Sequence, residues 1–246
     1  MSLNQSALKR RAVEIISASR PHVVLVGLLY LLLTAVLEWL SSRALSVNVS
    51  ESEAMNYLRY VSEGNLDYAL KYFDSMRPPV SAYGVSLMLA VVKSALMAGF
   101  TLFLLNTVRA AGACWANLLD GFAVLGRVVM LYVWITLFVF LWSLLLVVPG
   151  IIAGYRYSQA IYILLDKPDK SPLQCIRESG TMMKGHKGEL FLLDLSFIGW
   201  YILGSFPVFG FIARAWSAPY IATVKTLFYE RLLGKNVYSF STGTPM

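Results

Sequence analysis

Long apolar runs, almost free of charge, alternate along this chain with short polar stretches. The clearest run is Val128–Val148, 21 residues without a charged side chain. Bilayer hydrocarbon about 30 Å thick takes roughly 20 such residues as a helix, so length alone predicts a crossing here. Similar runs predict spans at Val23–Leu40, Val85–Val108, Leu190–Ser205 and Phe211–Tyr229. The apolar character continues past Val148 to Leu165, 38 residues from Val128. As one straight helix that would measure about 57 Å, far more than a bilayer needs. Proline removes a backbone donor and glycine permits left-handed turns, so Pro149-Gly150 is the expected reversal. The return, Ile151–Leu165, is about 22 Å as a helix. It reads either as a short fourth span or as a re-entrant piece covered by protein. The fold expected is all-α: one polytopic membrane domain over 1–246, a bundle of six transmembrane helices with a short fourth.

Charge gives the bundle a direction. Segments Met1–His22, Arg109–Arg127, Asp166–Glu189 and the tail after Tyr229 hold four, two, five and two Lys or Arg. Six crossings put all four on one side. The sizeable link on the other side, Ser41–Gly84, has four basic residues against five acidic ones. The positive-inside bias then predicts both termini in the cytoplasm. Without the return at Ile151–Leu165, the five-basic link would lie outside, against that bias. The first apolar run follows Lys9, Arg10 and Arg11, but its 18 residues exceed a usual signal core and no clean cleavage site follows. It reads as an uncleaved first span.

The links have their own grammar. In the extracytoplasmic insert 41–84, Ser50 and Glu53 match a capping box, and a second short helix is expected over Leu66–Met76. Tyr57, Leu58, Val61, Leu70 and Phe73 give these helices apolar faces, fit to rest on the bundle or headgroups or to dock a partner. In the cytoplasmic link 166–189, Ser171-Pro172-Leu173-Gln174 reads as an N-cap, a proline at the first helical position and a capping glutamine. That link is basic and amphipathic, suited to anionic headgroups at the cytoplasmic face. A short elbow helix is expected between Arg109 and Arg127.

Composition agrees with membrane residence: 57% of residues are hydrophobic and 14% charged, against roughly 25% charged in a soluble domain. The net charge of +7 is explained by inner loops, so nucleic acid is not an expected partner. Cys114, Cys175, His22 and His186 show no metal-ligand spacing, and both cysteines fall in segments read as inside, where disulfides are not expected. No Gly-x-Ser-x-Gly, His-Glu-x-x-His or phosphate-loop motif occurs. A non-enzymatic protein is expected, with no catalytic residue, no metal and no cofactor.

Several ordered words between Trp142 and Trp200 carry a resemblance. They are Trp142-Ser143-Leu144-Leu145-Leu146, Pro149-Gly150-Ile151-Ile152, Tyr155-Arg156-Tyr157-Ser158, Asp166-Lys167-Pro168, Met182-Met183-Lys184-Gly185-His186-Lys187 and Leu190-Phe191-Leu192-Leu193-Asp194. The chain resembles, over roughly 100–230, the bacterial integral-membrane family called domain of unknown function 975. More distantly it resembles the membrane part of some glycerophosphodiester phosphodiesterases. The resemblance implies a multi-pass protein of the bacterial plasma membrane. The phosphodiesterase kinship carries over no catalysis, because no counterpart of the soluble catalytic domain is expected among these residues.

Candidate chemistry lies in the charges that interrupt the spans. A charge at a helix centre costs about 2.5 to 3.5 kcal/mol on insertion scales. Lys93 is expected near the midplane, and Arg156 and Arg214 about 9 Å in from the outer surface, with Glu38 near that side. One reading is an outward-facing cationic cavity of Lys93, Arg156, Arg214 and Glu38 that binds or transports an anionic lipid or peptide. The other is snorkelling and local pairing. Asp194, inside the fifth span, is a possible proton or ion-pair site with Lys184, Lys187 or Lys225 as partner. A second functional class is an accessory or immunity-type protein that binds an envelope protein. An intramembrane enzyme is the third.

Overall fold

The structure, a computed structural model, describes residues 4–46, 50–75, 77–206 and 210–234. All regular structure among them is helical. In chain order the helices are α1 (Gln5–Ala18), α2 (Val23–Leu45), α3 (Glu51–Ser62), α4 (Leu66–Ser75), α5 (Val80–Val108), α6 (Asn117–Ala123) and α7 (Leu125–Leu145). There follow α8 (Val147–Tyr157), α9 (Ala160–Asp166), α10 (Pro172–Met182), α11 (Lys187–Leu195), α12 (Ile198–Gly204) and α13 (Gly210–Leu232). Three of them, α2, α5 and α7, are long and apolar enough to cross a membrane. Leu144, Leu145, Leu146 and Val147, at one end of α7, are 67–75% exposed, as lipid-facing residues would be. The chain forms two compact units, Leu33–Lys93 and the remainder.

In the larger unit, the reversal after α7 differs from the expected one. The bend is at Leu146, whose backbone is extended (φ −167°, ψ 152°). Pro149 and Gly150 lie inside α8. Proline is tolerated there because the first-turn N–H groups have no intrahelical acceptor. Gly150 does a different job: a Cβ on it would come 2.0 Å from Ser143 Oγ, so its absence lets α8 close onto α7. The pair then runs antiparallel, with Phe138 and Tyr157 rings 6.1 Å apart. Val128 and Leu131 share a core with Ile163 and Leu164, so α8 and α9 together return to the base of α7.

The return is not one helix. The Ser158 hydroxyl donates to Tyr155 O at 2.8 Å, and the Gln159 N–H donates to Ser179 Oγ of α10 at 3.2 Å. A backbone donor is thereby drawn out of the helical ladder, which separates α8 from α9. The expected continuous span Leu190–Ser205 is likewise two helices, α11 and α12. The break falls at Ser196–Phe197, where the Ser196 hydroxyl bonds back to Leu193 O at 2.5 Å. Proline also predicts a tight reversal between the fifth and sixth apolar runs, at Phe206-Pro207, which lies partly outside the described residues; Met76, at the expected end of α4, lies outside them.

Helix α1 is an element for which the opening pattern made no allowance. Asn4 caps it, accepting from the Ala7 N–H at 3.1 Å. Leu8, Ala12, Ile15 and Ile16 recur at helical spacing and are buried. Leu8, Ala12 and Ile15 share a core with Met183, Leu193, Phe197, Val224 and Phe228. The elbow α6 crosses α5 where Gly99 and Gly121 meet; a Cβ on Gly121 would lie 2.0 Å from Ala95 O. Both capping boxes form, Ser50 with Glu53 and Ser171 with Gln174, the latter with Pro172 starting its helix.

In the smaller unit, α3 and α4 form a helical hairpin. Gly64 turns it with φ +69°. The Tyr57 ring lies tilted against Phe73 (6.3 Å) and Tyr60 stacks on Tyr68 (5.7 Å), which joins the two helices through aromatic rings. Lys93 and Glu38, also in this unit, form an ion pair.

Candidate anion-binding site

Arg156 stands in the last turn of α8. Its backbone carbonyl accepts the Ser179 hydroxyl of α10 at 2.8 Å. One residue later, Gly180 leaves the guanidinium its place, since a Cβ there would come 2.8 Å from Arg156 Nε. The same guanidinium lies 5.8 Å from the Tyr157 ring centre, a cation–π distance. Beside it opens a cavity of about 170 Å³ lined by Arg156, Arg177, Tyr157, Phe138, Leu173 and Ile176. Two arginines, both exposed, therefore line one space together with an aromatic and aliphatic wall. Among the described residues neither has a carboxylate partner. Like charges around a low-dielectric wall repel, and an anion between them reverses the sign. Planar guanidinium forks match the oxygens of phosphate or carboxylate in paired hydrogen bonds.

The other expected site residues have different surroundings. Lys93 belongs with Glu38, and this pairing neutralises both charges. Arg214, on α13, lies over α12, where a Cβ on Gly204 would come 3.2 Å from Arg214 Cγ. Asp194 takes Lys225 as its partner at 2.9 Å, in preference to Lys184 or Lys187.

Arg177 was legible only as one of five basic residues in a link. Nothing in its spacing marks it as the companion of Arg156, because helix packing makes the pair. A second cluster also escaped sequence reasoning. Arg109, just past α5, bonds Asp166 at the end of α9 at 2.5 Å and Glu230 of α13 at 2.6 Å. The Tyr229 hydroxyl donates to Asp166 at 3.1 Å. Burial alone would lower the Arg109 pKa, but the hydrogen bonds to Asp166 and Glu230 outweigh it and raise the pKa. Nearby, Arg231 and His186 both meet Glu189, at 3.2 and 3.0 Å. Lys167 and Lys170 clasp Glu178. Their hydrogen bonds hold the Glu178 carboxyl below the usual range. The Arg127 guanidinium donates to Pro168 O and joins the base of α7 to the same link.

The class that this fold defines is an all-helical protein with three membrane-length apolar helices, interrupted elsewhere by short helices and paired charges. The chain belongs to the family described as protein of unknown function (DUF975), whose pattern matches residues 1–236. No curated protein and no solved structure matches the chain.

Proposed function

We propose that this is a multi-pass protein of the bacterial plasma membrane that binds an acidic lipid headgroup between Arg156 and Arg177. The observation that carries the reading is that two exposed arginines without carboxylate partners, Arg156 and Arg177, line one cavity beside an apolar wall. Phosphate supplies the oxygens for the forks, and the acyl chains have the exposed apolar flank of α7 and α8 to lie on. The protein acts by binding or moving its ligand and has no catalytic role.

Six crossings with both termini in the cytoplasm fit best. The antiparallel return of α8 and α9 supports a fourth crossing, since Val147–Asp166 is long enough for about 30 Å of helix. Paired charges at Asp194–Lys225 and the broken fifth segment are tolerable in a bilayer where protein covers them. Helix α10 belongs to the basic link that charge bias puts inside. The binding cavity therefore serves the inner leaflet, and the outward-facing cavity expected from sequence gives way to it. Lys93 and Glu38 leave the ligand set because they satisfy each other.

Native mass spectrometry of the protein released from phosphatidylglycerol or phosphatidylcholine nanodiscs tests the site. Phosphatidylglycerol should be retained, and Arg156→Gln with Arg177→Gln should reduce retention about tenfold, the effect of about 1.4 kcal/mol. Arg214→Gln should leave it unchanged. Equal retention by the double variant would remove the proposal. Protease protection of tags at both ends, in sealed vesicles of known orientation, tests the even number of crossings.

A further inference from the structure

We infer that the α3–α4 hairpin is an interfacial anchor, lying with its apolar side chains in the headgroup zone at the end of α2 and the start of α5. This inference is independent of the Arg156–Arg177 site and of which leaflet is concerned.

Short links tether both ends of the hairpin. Five residues separate Leu45 from Glu51, and four separate Ser75 from Val80. At most about 3.6 Å per residue, these links hold both ends of the hairpin within about 20 Å of helices that are long and apolar enough to cross a membrane. The hairpin also offers an apolar surface. Leu66, Leu70 and Phe73 fall at i, i+4 and i+7 on α4, and all three are exposed. Met55 and Leu58 do the same on α3. Ala69 is buried, and the rings of Tyr57, Tyr60, Tyr68, Tyr72 and Phe73 link the two helices to each other. The exposed leucines are thus surplus to the hairpin's own packing. An apolar stripe of this kind on a short charged helix is the pattern of helices that lie in a membrane interface.

A third observation sets the level. Trp39 lies six residues before the end of α2 and Tyr83 three after the start of α5, and both are exposed. Trp and Tyr concentrate where hydrocarbon meets headgroups. Charge then narrows the occupant. The segment 50–79 has five acidic and three basic residues. It has no electrostatic attraction to anionic lipid, so apolar burial drives the contact and lipid charge should matter little.

Spin labels on the full chain in nanodiscs test the inference, in a Cys114→Ser background because Cys175 is buried. Labels go to Leu58→Cys, Leu66→Cys and Leu70→Cys, with Glu63→Cys and Asp67→Cys for comparison. Collision with oxygen, which concentrates in lipid, is measured against collision with a water-soluble nickel chelate. The ratio should be several-fold higher at the leucine positions, and equal in phosphatidylcholine and in mixtures with phosphatidylglycerol. Leucine positions as open to nickel as Asp67 would overturn the inference. So would shielding from both reagents, which would mean that protein, and not lipid, covers the stripe.

Discussion

Arg109 Nη2 stands 2.6 Å from Glu230 Oε1, although 121 residues separate the two in the chain. Glu230 is 1% exposed, so its charge has little water to fall back on. Asp166 completes the cluster and brings the ends of α5, α9 and α13 together. Removing the cation from a buried pair leaves the acid uncompensated, which typically costs about 3–5 kcal/mol. Arg109→Gln should therefore lower the thermal midpoint in detergent strongly. Adding Glu230→Gln should recover part of the loss, and a double variant less stable than Arg109→Gln would contradict this account.

Asp194 and Lys225, at 2.9 Å, form a second long-range pair between α11 and α13. Lys225→Met should destabilise more on its own than together with Asp194→Asn. Contacting groups couple by about 0.5–3 kcal/mol in double-mutant cycles. The check is a cycle of thermal midpoints. Strict additivity would mean that the pair contributes nothing in the folded bundle.

Gly180 makes room for Arg156. Gly180→Leu should displace the guanidinium and weaken phosphatidylglycerol retention while helix content stays the same. Gly126, with open space where its Cβ would be, provides the control. Gly126→Leu should retain lipid as the parent protein does. Equal retention by both variants would separate Gly180 from the site.

The 166–189 link should loosen in acid. Glu178 is held below its ordinary pKa by hydrogen bonds from Lys167 and Lys170. A lowered folded-state value contributes stability above the unfolded carboxylate pKa, and this is lost as pH falls through the lowered value. Lys167 is raised by its bond to Glu178, so its share is present below the unfolded lysine pKa and lost as pH rises through the raised one. Limited proteolysis of the 166–189 link against pH should show protection across the neutral range and an acid limb. Glu178→Gln should flatten that limb, and an unchanged profile would assign it to another group.

Much of the helical content was readable in the chain. The apolar run Val128–Val148 announces α7, and Ser50–Glu53 and Ser171–Gln174 announce the starts of α3 and α10. The amphipathic spacing of Leu8, Ala12 and Ile15 also announces α1, although the basic residues beside it drew attention to charge instead. At Pro149-Gly150 the breaker pair pointed to a bend that stands at Leu146. Proline in a first turn is compatible with helix, and glycine here serves close packing. In the candidate site, Arg156 stood out because it interrupts an apolar segment, whereas Arg177 resembled any basic residue of the 166–189 link.

By itself the sequence determined the material and its local grammar: apolar helices of bilayer length, the places where caps start them, and the basic segments between. Those signals act within about four residues, the reach of a helical hydrogen bond or a capping side chain. Tertiary structure decided which charges meet and which stay open. Ser179 draws the Gln159 N–H out of its helix from 20 residues away, and Glu230 finds Arg109 across 121. Arg156 and Arg177 share a cavity because α10 packs against α8. Each of these depends on how finished helices dock, and docking is set by the fit of many side chains at once.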